Sequence, residues 1–301
     1  MPRHFLNILD LSQADAARVL GRAKALKDGN VRTKLLDGKT VILIFEKAST
    51  RTRVSFEVAV RHLGGSTVFL TPHESQLGRN EPLKDTARVL SRYADALVVR
   101  TFGQEKLETL AQWGTIPVVN ALTDEHHPCQ VMSDVLTMYE RTPDLCGLKV
   151  GWIGDGNNMA HSWIEAAALF RFELTLACPS GYTPDLEILT KARALGARIV
   201  LTEDPELAAR NADYLNTDVW ASMGQESEQL RREAAFEGYQ LNDELLKLAK
   251  PLCKVMHCLP AHRGEEISDE VFEANADMIF DEAENRLHMQ KALLEWVFEA
   301  L

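Results

Sequence analysis

The stretch Val41-Ile42-Leu43-Ile44-Phe45 and the run Ser49-Thr50-Arg51-Thr52-Arg53 that follows it decide how the first half of the chain folds. The first stretch is apolar and rich in β-branched residues. The second opens an amphipathic segment that ends at Gly64-Gly65. Because Ser and Thr favour helix N-termini, this order predicts a strand, a short loop and a helix.

The start of this predicted helix is a candidate phosphate site. A helix N-terminus leaves backbone N–H groups unpaired and carries partial positive charge, so it attracts anions. Two hydroxyl groups and Arg51, whose planar guanidinium can hold a pair of oxygens, complete a possible anion-binding loop. The alternative is an ordinary capped helix with solvated arginines, and the motif alone does not decide between the two.

Strand-like and helix-like segments alternate along the rest of the chain, after a leading helix capped near Ser12. The predicted strands are Val41–Glu46, Ser66–Thr71, Ala96–Thr101, Pro117–Leu122, Leu148–Gly154, Glu173–Pro179, Arg198–Thr202, Tyr214–Asp218, Lys254–Leu259 and Met278–Phe280. Several are continuous Val, Ile and Leu runs, as in parallel strands that are buried on both faces. We therefore expect an α/β protein with two doubly wound parallel-sheet domains flanking a central cleft.

The domain boundary is expected inside the helical segment Pro128–Glu140. This gives a first domain of residues 1–135 and a second of residues 136–285. A C-terminal helix, residues 286–301, is expected to return to the first domain.

Composition excludes several classes of protein. The 301 residues are 46% hydrophobic and 26% charged, with a net charge of −11, which argues against general binding to nucleic acid or to anionic membranes. No apolar run approaches the ~20 residues of a membrane span, and we expect no signal peptide in the first residues, which have only one brief apolar patch. The cysteines form no CxxC pair and no zinc-ligand spacing, so we expect a cytoplasmic protein without a metal; they are Cys129, Cys146, Cys178, Cys253 and Cys258.

Polar residues follow the predicted strands of the first half. Arg100 ends the third strand, and His127 and Gln130 follow the fourth. Ligands of open α/β sheets bind beyond the carboxyl ends of the strands, so these side chains could hold a carbonyl oxygen or an amide beside the phosphate. An ordinary hydrogen-bonded histidine is the alternative for His127.

The second half offers candidates for a small ligand with amino and carboxylate groups. The turn Gly154-Asp155-Gly156-Asn157-Asn158-Met159 resembles half of a dinucleotide fingerprint, but Met159 stands at the third glycine position and no acid ends the next strand. The same turn could present Asn158 to a carboxylate. Asp218 with nearby Ser222 suits an amino group, although an exposed loop acid is the alternative.

Sequence spacing alone does not decide the roles of two further residues. Cys258, in His257-Cys258-Leu259-Pro260, could be an inert buried thiol or could border the cleft. Arg286 could be a surface charge or a further arginine that faces the cleft.

Taken together, the motifs resemble those of the aspartate and ornithine carbamoyltransferase family. They are Ser49-Thr50-Arg51-Thr52-Arg53, Gln76-Leu77-Gly78-Arg79, His127-Pro128-Cys129-Gln130, the segment from Asp218 to Gly224, and His257-Cys258-Leu259-Pro260. The last two are similar to the ornithine branch. The resemblance extends over essentially the whole chain and implies transfer of a carbamoyl group from carbamoyl phosphate to the δ-amine of L-ornithine.

The resemblance also implies a role for each matching residue. The implied carbamoyl phosphate-binding residues are Ser49, Thr50, Arg51, Thr52, Gln76, Arg100, His127, Gln130, Cys258, Leu259 and Arg286, of which Arg100, His127, Cys258 and Arg286 are implied to be catalytic. The implied ornithine-binding residues are Asn158, Asp218, Ser222 and Met223. Gln76 is the residue that would reach a neighbouring subunit, so a homotrimer is expected.

No cofactor is expected, and arginine biosynthesis is favoured over arginine breakdown. Another amine, such as N-acetylornithine or putrescine, is the alternative acceptor. Asn80 and His161 depart from the family pattern, which puts local loop geometry in question and leaves the core motifs untouched.

Overall fold

The computed structural model describes residues 2–29, 33–71, 81–221 and 228–299. The chain divides into two compact units, Met1–Leu136 with Asn285–Leu301, and Thr137–Glu284. The divisions fall inside two helices, α5 (Pro128–Arg141) and α12 (Ala276–Val297).

The first unit is built on a four-stranded parallel sheet in the order β2-β1-β3-β4. Its strands are β1 (Thr40–Phe45), β2 (Ser66–Leu70), β3 (Ala96–Arg100) and β4 (Val118–Leu122). Its helices, besides parts of α5 and α12, are the 3-10 turn Ile8–Asp10, α1 (Gln13–Lys27), α2 (Thr50–His62), α3 (Leu83–Leu90) and α4 (Gln104–Trp113). Ser12 caps α1, as expected, because its Oγ accepts a hydrogen bond from the Asp15 N–H at 3.1 Å.

Both faces of this sheet are covered. Ile42 and Ile44 pack on one face with residues of α3 and α4, while Val41 and Leu43, which alternate with them, are also buried. This explains why the central strands are continuous apolar runs. The edge strand β2 is less buried, and Val68 on it is exposed.

The second unit holds a five-stranded parallel sheet in the order β7-β6-β5-β8-β9. Its strands are β5 (Lys149–Ile153), β6 (Glu173–Ala177), β7 (Arg198–Thr202), β8 (Tyr214–Thr217) and β9 (Lys254–His257). Its helices are α6 (Asn158–Phe170), α7 (Leu186–Ala194), α8 (Pro205–Ala209), α9 (Gln229–Ala235), α10 (Asp243–Leu246) and α11 (Asp269–Ala274). The predicted fold class, two parallel α/β domains, is confirmed.

The C-terminal helix α12 packs on the first unit, as expected. Arg22 of α1 donates two hydrogen bonds to the Glu295 carboxylate, at 2.5 and 2.9 Å, and Lys27 Nζ donates to Asn285 Oδ1 at 2.9 Å. The rings of Phe5 and Trp296 meet edge to face. These contacts fix the part of α12 that carries Arg286.

One predicted strand is wrong. Met278–Phe280 belongs to α12, which begins at Ala276. In this helix Met278 and Ile279 are buried and Phe280 is 57% exposed, because three consecutive residues of a helix point to different sides. No helix in the described ranges has the length and hydropathy that crossing a bilayer requires.

Candidate functional site

The loop from β1 into α2 forms a capped helix N-terminus. Ser49 has extended backbone angles, and its Oγ accepts a hydrogen bond from the Thr52 N–H at 3.3 Å and donates one to Thr52 Oγ1 at 2.9 Å. Thr52 is buried, while Thr50 and Arg51 are exposed. A helix N-terminus with adjacent hydroxyl groups is an arrangement that can bind a phosphate, because its first N–H groups point out of the helix.

Arg286 reaches the same helix start from the other end of the chain. Its Nη2 donates a hydrogen bond to Thr52 Oγ1 at 2.7 Å, although 234 residues separate the two in sequence. Arg286 is buried. It is therefore not a surface charge, which was one of the two interpretations that the sequence left open.

The two arginines of the loop motif have different surroundings. Arg53 Nε donates to Glu57 Oε1 at 2.7 Å, and its guanidinium carbon lies 3.6 Å from the centroid of the Phe69 ring. Arg51 makes no ion pair with any carboxylate in the described ranges. Arg51 is thus the arginine of this pair that is available to an anion.

Arg100 lies at the carboxyl end of β3, where the pairing of β3 with β4 shifts register between Val99 and Arg100. The shift places one extra residue, Ala121, on β4, and irregularities such as bulges are frequent beside active sites. The backbone here is held by the Glu46 N–H, which donates to the Arg100 carbonyl at 2.8 Å, and by a short hydrogen bond from Thr101 Oγ1 to the Glu46 carboxylate. Arg100 itself is buried.

His127 directly precedes α5 and is buried. Burial, with smaller effects from the positive charges of Arg286 and Arg100, holds the pKa of His127 well below its ordinary value. The imidazole is therefore neutral at physiological pH. The same interactions place His127 near both arginines, so three residues that the sequence indicated separately belong to one cluster.

Gln130 lies on the first turn of α5, and its Nε2 donates a hydrogen bond to Asp134 Oδ1 at 2.8 Å. Both residues are buried. The neighbouring Cys129 donates its thiol to the Asn120 carbonyl, and burial raises the pKa of Cys129 to about 12, so this cysteine is inert. Sequence reasoning missed Asp134, although its position one turn after Gln130 is a signal for such a pair.

In the second unit, Asp218 is held at the end of β8 by several donors. Its carboxylate accepts hydrogen bonds from the Val219 N–H at 2.8 Å, from Asn157 Nδ2 at 3.1 Å and from the Cys258 thiol at 3.1 Å. Asp218 is buried, so the interpretation as an exposed loop acid is wrong. Cys258 borders this carboxylate rather than being enclosed in a strand.

The turn after β5 uses Asn157, and not Asn158, as the cap of α6. Asn157 Oδ1 accepts from the N–H groups of Met159 and Ala160, which leaves its Nδ2 for Asp218. Asn158 is the first residue of α6 and is half-buried. Sequence reasoning missed the double role of Asn157, which its position directly before the helix could have indicated.

The rest of this glycine-containing turn serves packing. A Cβ on Gly156 would lie 2.1 Å from the Pro184 backbone nitrogen, so only glycine fits there. Asp155 pairs with Arg232 at 2.7 Å, and Arg232 also donates to the Trp220 carbonyl. Burial raises the pKa of Asp155, and the pairing with Arg232 opposes this rise.

His161, one of the two departures from the family pattern, has a structural contact. Its Nε2 accepts a hydrogen bond from the Asp185 N–H at 2.9 Å, and Asp185 in turn caps α7. Asn80, the other departure, lies outside the described residues, as do the predicted site residues Gln76, Ser222 and Met223.

A buried histidine fixes the turn that follows β9. The Leu259 N–H donates to His257 Nδ1 at 2.9 Å, so Nε2 is the ring nitrogen that can donate to Glu266 Oε1, at 3.0 Å. Leu259 has a φ of 60°, a conformation that L-residues rarely adopt, and this hydrogen bond helps to hold it. Sequence reasoning missed Glu266.

Asp218, His257 and Cys258 offer ligand atoms within 4.8 Å of one another. Both ring nitrogens of His257 already have partners, so a metal there would have to break the contacts that hold the turn. This donor set does not fit a resident metal, and the sequence-based expectation of none stays a prediction.

Comparisons with known proteins agree with this geometry. A family model described as "Aspartate/ornithine carbamoyltransferase, carbamoyl-P binding domain" matches residues 3–140, and one described as "Aspartate/ornithine carbamoyltransferase, Asp/Orn binding domain" matches residues 146–297. Among curated proteins, the ornithine carbamoyltransferase of Nitratidesulfovibrio vulgaris is 66% identical over 298 residues, which cover 99% of each chain.

Two solved structures are similar over nearly their full lengths. The ornithine carbamoyltransferase from Pyrococcus furiosus has a TM-score of 0.94 at 44% identity and covers 100% of this chain and 98% of its own. The anabolic ornithine carbamoyltransferase from Campylobacter jejuni has a TM-score of 0.94 at 41% identity, with coverage of 99% and 100%.

Proposed function

The chain belongs to the aspartate/ornithine carbamoyltransferase family, and we propose on this premise that it transfers the carbamoyl group of carbamoyl phosphate to L-ornithine, giving L-citrulline and phosphate. The observation that carries the proposal is the cluster in the first unit. There the capped start of α2, with Thr52 bound to Arg286, lies in the same unit as Arg100 and the neutral His127.

In this proposal the first unit binds carbamoyl phosphate. The N-terminus of α2, with Ser49, Thr50, Arg51 and Thr52, binds the phosphate group. Arg100 bridges the phosphate and the carbonyl oxygen, and His127 donates to that oxygen. Gln130 contacts the carbamoyl amide. A neutral imidazole suits this role, because it donates a hydrogen bond without adding a third positive charge beside Arg100 and Arg286.

The second unit binds ornithine in the proposal. Asp218 binds the α-amino group, and the hydrogen bonds from Val219 and Asn157 keep its carboxylate in place. Asn158 contacts the α-carboxylate. Ser222 and Met223 complete the set by similarity to the family. Cys258, Leu259 and Arg286 contact the reacting groups.

The reaction is a direct displacement. The neutral δ-amine attacks the carbonyl carbon, the C–N bond forms, the C–O bond to phosphate breaks, and the departing phosphate takes the amine proton. Holding both reactants in line lowers the activation free energy by up to about 7–11 kcal/mol, because their translational and rotational entropy is lost on binding and not in the chemical step. A single donor to the developing oxyanion is worth about 2.7–4 kcal/mol. Because the ordinary pKa of such an amine is about 10.4, the rate should rise with pH as the free amine becomes available.

A different acceptor is the main alternative. N-acetylornithine has no free α-amino group for Asp218, and putrescine has no α-carboxylate for Asn158. The buried carboxylate of Asp218, with its fixed donors, therefore favours an acceptor with a free α-amino group, and Asn158 favours one with an α-carboxylate.

The proposal extends to the setting of the enzyme. We propose a cytoplasmic homotrimer in which Gln76 reaches a neighbouring subunit, and a role in arginine biosynthesis. The support is similarity to the family and, for biosynthesis, the structural likeness to a relative named as anabolic.

A steady-state comparison of acceptors tests the proposal. Citrulline formation from L-ornithine should exceed carbamoylation of N-acetylornithine, putrescine and L-aspartate by at least about a hundredfold in kcat/KM, since each analogue leaves a buried polar group unpaired or misplaces a charge. Turnover of another acceptor at a comparable rate would contradict it.

A further inference from the structure

The buried acid Asp134 has no role in the reaction proposed above, yet it touches a residue that does. We infer that Asp134 is a positioning residue that turns the side-chain amide of Gln130 so that its oxygen faces the –NH₂ of the carbamoyl group. This inference rests on the proposed function and adds a determinant of donor specificity.

The contact between the two residues is direct and lies away from solvent. Gln130 Nε2 donates to Asp134 Oδ1 at 2.8 Å, and the exposed fractions of the two residues are 1% and 0%. They are one helical turn apart on α5, so the helix holds them at this separation. A buried hydrogen bond to a carboxylate is stronger than one between neutral groups.

The hydrogen-bonding chemistry of the two side chains decides whether the nitrogen or the oxygen of the Gln130 amide faces Asp134. A carboxylate only accepts hydrogen bonds, so the amide of Gln130 must turn its nitrogen toward Asp134. Its oxygen, which is attached to the same carbon, then points away from Asp134. Replacing Asp134 by an apolar residue removes this constraint on which end of the amide faces a ligand.

The direction of the amide matters because of what the donor substrate carries. The carbamoyl group presents an oxygen and an –NH₂, whereas an acetyl group of nearly the same shape presents an oxygen and a methyl. Gln130 lies one turn into the helix from His127, whose carbonyl accepts from the Gln130 N–H at 3.2 Å. With His127 on the carbonyl oxygen, the Gln130 oxygen accepts from the –NH₂ and has no partner on a methyl group.

The test compares three ligands of the same site in variants of Asp134. KM for carbamoyl phosphate is measured together with the inhibition constants of acetyl phosphate and inorganic phosphate, both competing with carbamoyl phosphate. In Asp134→Leu, which fills the space of the carboxylate, and in Asp134→Ala, we expect KM for carbamoyl phosphate to rise about five- to tenfold. The two inhibition constants should change less than about twofold, because neither ligand uses the Gln130 oxygen.

Two further variants separate orientation from general packing. Asp134→Asn keeps an oxygen that can accept from Gln130, so it should recover most of the carbamoyl-over-acetyl preference. Ser133→Ala removes the neighbouring hydroxyl, which donates to the Cys129 carbonyl at 2.7 Å, and should leave the preference unchanged.

The contrary results are equally specific. An unchanged carbamoyl-over-acetyl preference in the Leu and Ala variants would overturn the inference, as would an equal weakening of all three ligands. An Asn variant no better than the Leu variant would also count against it. Failure of the proposed function is a separate result, because it would appear as a lack of citrulline formation by the unaltered enzyme.

Discussion

At the scale of single residues, burial and neighbouring charges set the protonation of the site. His127 is kept neutral by burial and by Arg286 and Arg100, while the pKa of Cys129 is raised to about 12 by burial. His127 and Cys129 thus each stay in one protonation state across the physiological range. The pH dependence of the reaction should then come mainly from the ornithine amine.

His127 should make stability depend on pH in a defined direction. Its pKa in the folded protein lies below the unfolded value of about 6.5, so the unfolded state binds the proton first as the pH falls. The contribution of the neutral histidine to the free energy of unfolding is fully present above about pH 6.5. It is lost as the pH falls toward the pKa of His127 in the folded protein. Urea unfolding from pH 7.5 to 5 measures this effect in the wild type and in His127→Gln.

We expect the free energy of unfolding of the wild type to decrease more steeply below pH 6.5 than that of the variant. The extra slope is at most about 1.4 kcal/mol per pH unit, the value for one proton. Parallel pH profiles of the two proteins would show that His127 titrates normally in the folded state.

Asp218 should govern ornithine binding and not carbamoyl phosphate binding. We expect Asp218→Ala to raise KM for ornithine about ten- to a hundredfold, the effect of losing a hydrogen-bonded charge, with KM for carbamoyl phosphate within about twofold of the wild type. Steady-state kinetics with each substrate varied in turn measures both values.

The opposite end of strand β8 supplies a matched control. Asp213 precedes this strand and pairs with Lys250 at 2.7 Å. Asp213→Ala should therefore leave both KM values near those of the wild type. If the two aspartate variants raised KM for ornithine equally, a specific role for Asp218 would be lost.

At the scale of elements, the starts of two helices and the docking of a third bring the polar groups of the first unit into place. The start of α2 supplies N–H groups, the start of α5 supplies His127 and Gln130, and α12 brings Arg286 to Thr52. The last of these depends on how α12 docks. Arg22 and Glu295 form an ion pair there, with two hydrogen bonds to a carboxylate that is nearly fully buried.

A double-mutant cycle measures what this pair contributes. For Arg22→Ala and Glu295→Ala we expect a coupling of about 1–3 kcal/mol in the free energy of unfolding, because one partner is buried and the geometry is bidentate. The exposed pair Lys247–Glu244, which lies in the second unit, is the control and should show little or no coupling. Equal coupling in the two cycles would mean that α12 is held by other contacts.

The elements were largely predictable from the sequence. Every strand predicted before Met278–Phe280 is present, with ends that differ by at most two residues, because buried parallel strands are continuous apolar runs. Met278–Phe280 was wrong since three apolar residues fit a strand and one turn of a buried helix equally well. The residues after Phe280 continue the same helix, so the whole segment and not the three residues alone identifies it as helical.

At the scale of the whole molecule, the first unit is completed by the end of the chain. Arg286 and Thr52 are 234 residues apart, and Arg22 and Glu295 are 273 apart. The net charge of −11 also hides a local positive charge, because Arg100 and Arg286 are both buried and both act on His127. The anion binding proposed for this unit would therefore depend on the positions of these charges and not on the overall charge.

Candidate site residues were predictable by type and by their place after strands, but their partners were not. Nothing in the spacing of His257 and Glu266, or of Asn157 and Asp218, shows that they touch, since each contact depends on how strands and loops meet in space. The roles assigned to the predicted residues, including Gln76, Ser222 and Met223 outside the described ranges, stay proposals.

The most direct test of the account is the binding of carbamoyl phosphate to two arginine variants of one loop, measured by isothermal titration calorimetry. Arg51 makes no ion pair with a described carboxylate, whereas Arg53 is engaged by Glu57 and Phe69. We expect Arg51→Ala to raise Kd at least about tenfold and Arg53→Ala to change it less than about twofold. Wild-type affinity in Arg51→Ala, or an equal loss in both variants, would contradict the assignment of the phosphate to the start of α2.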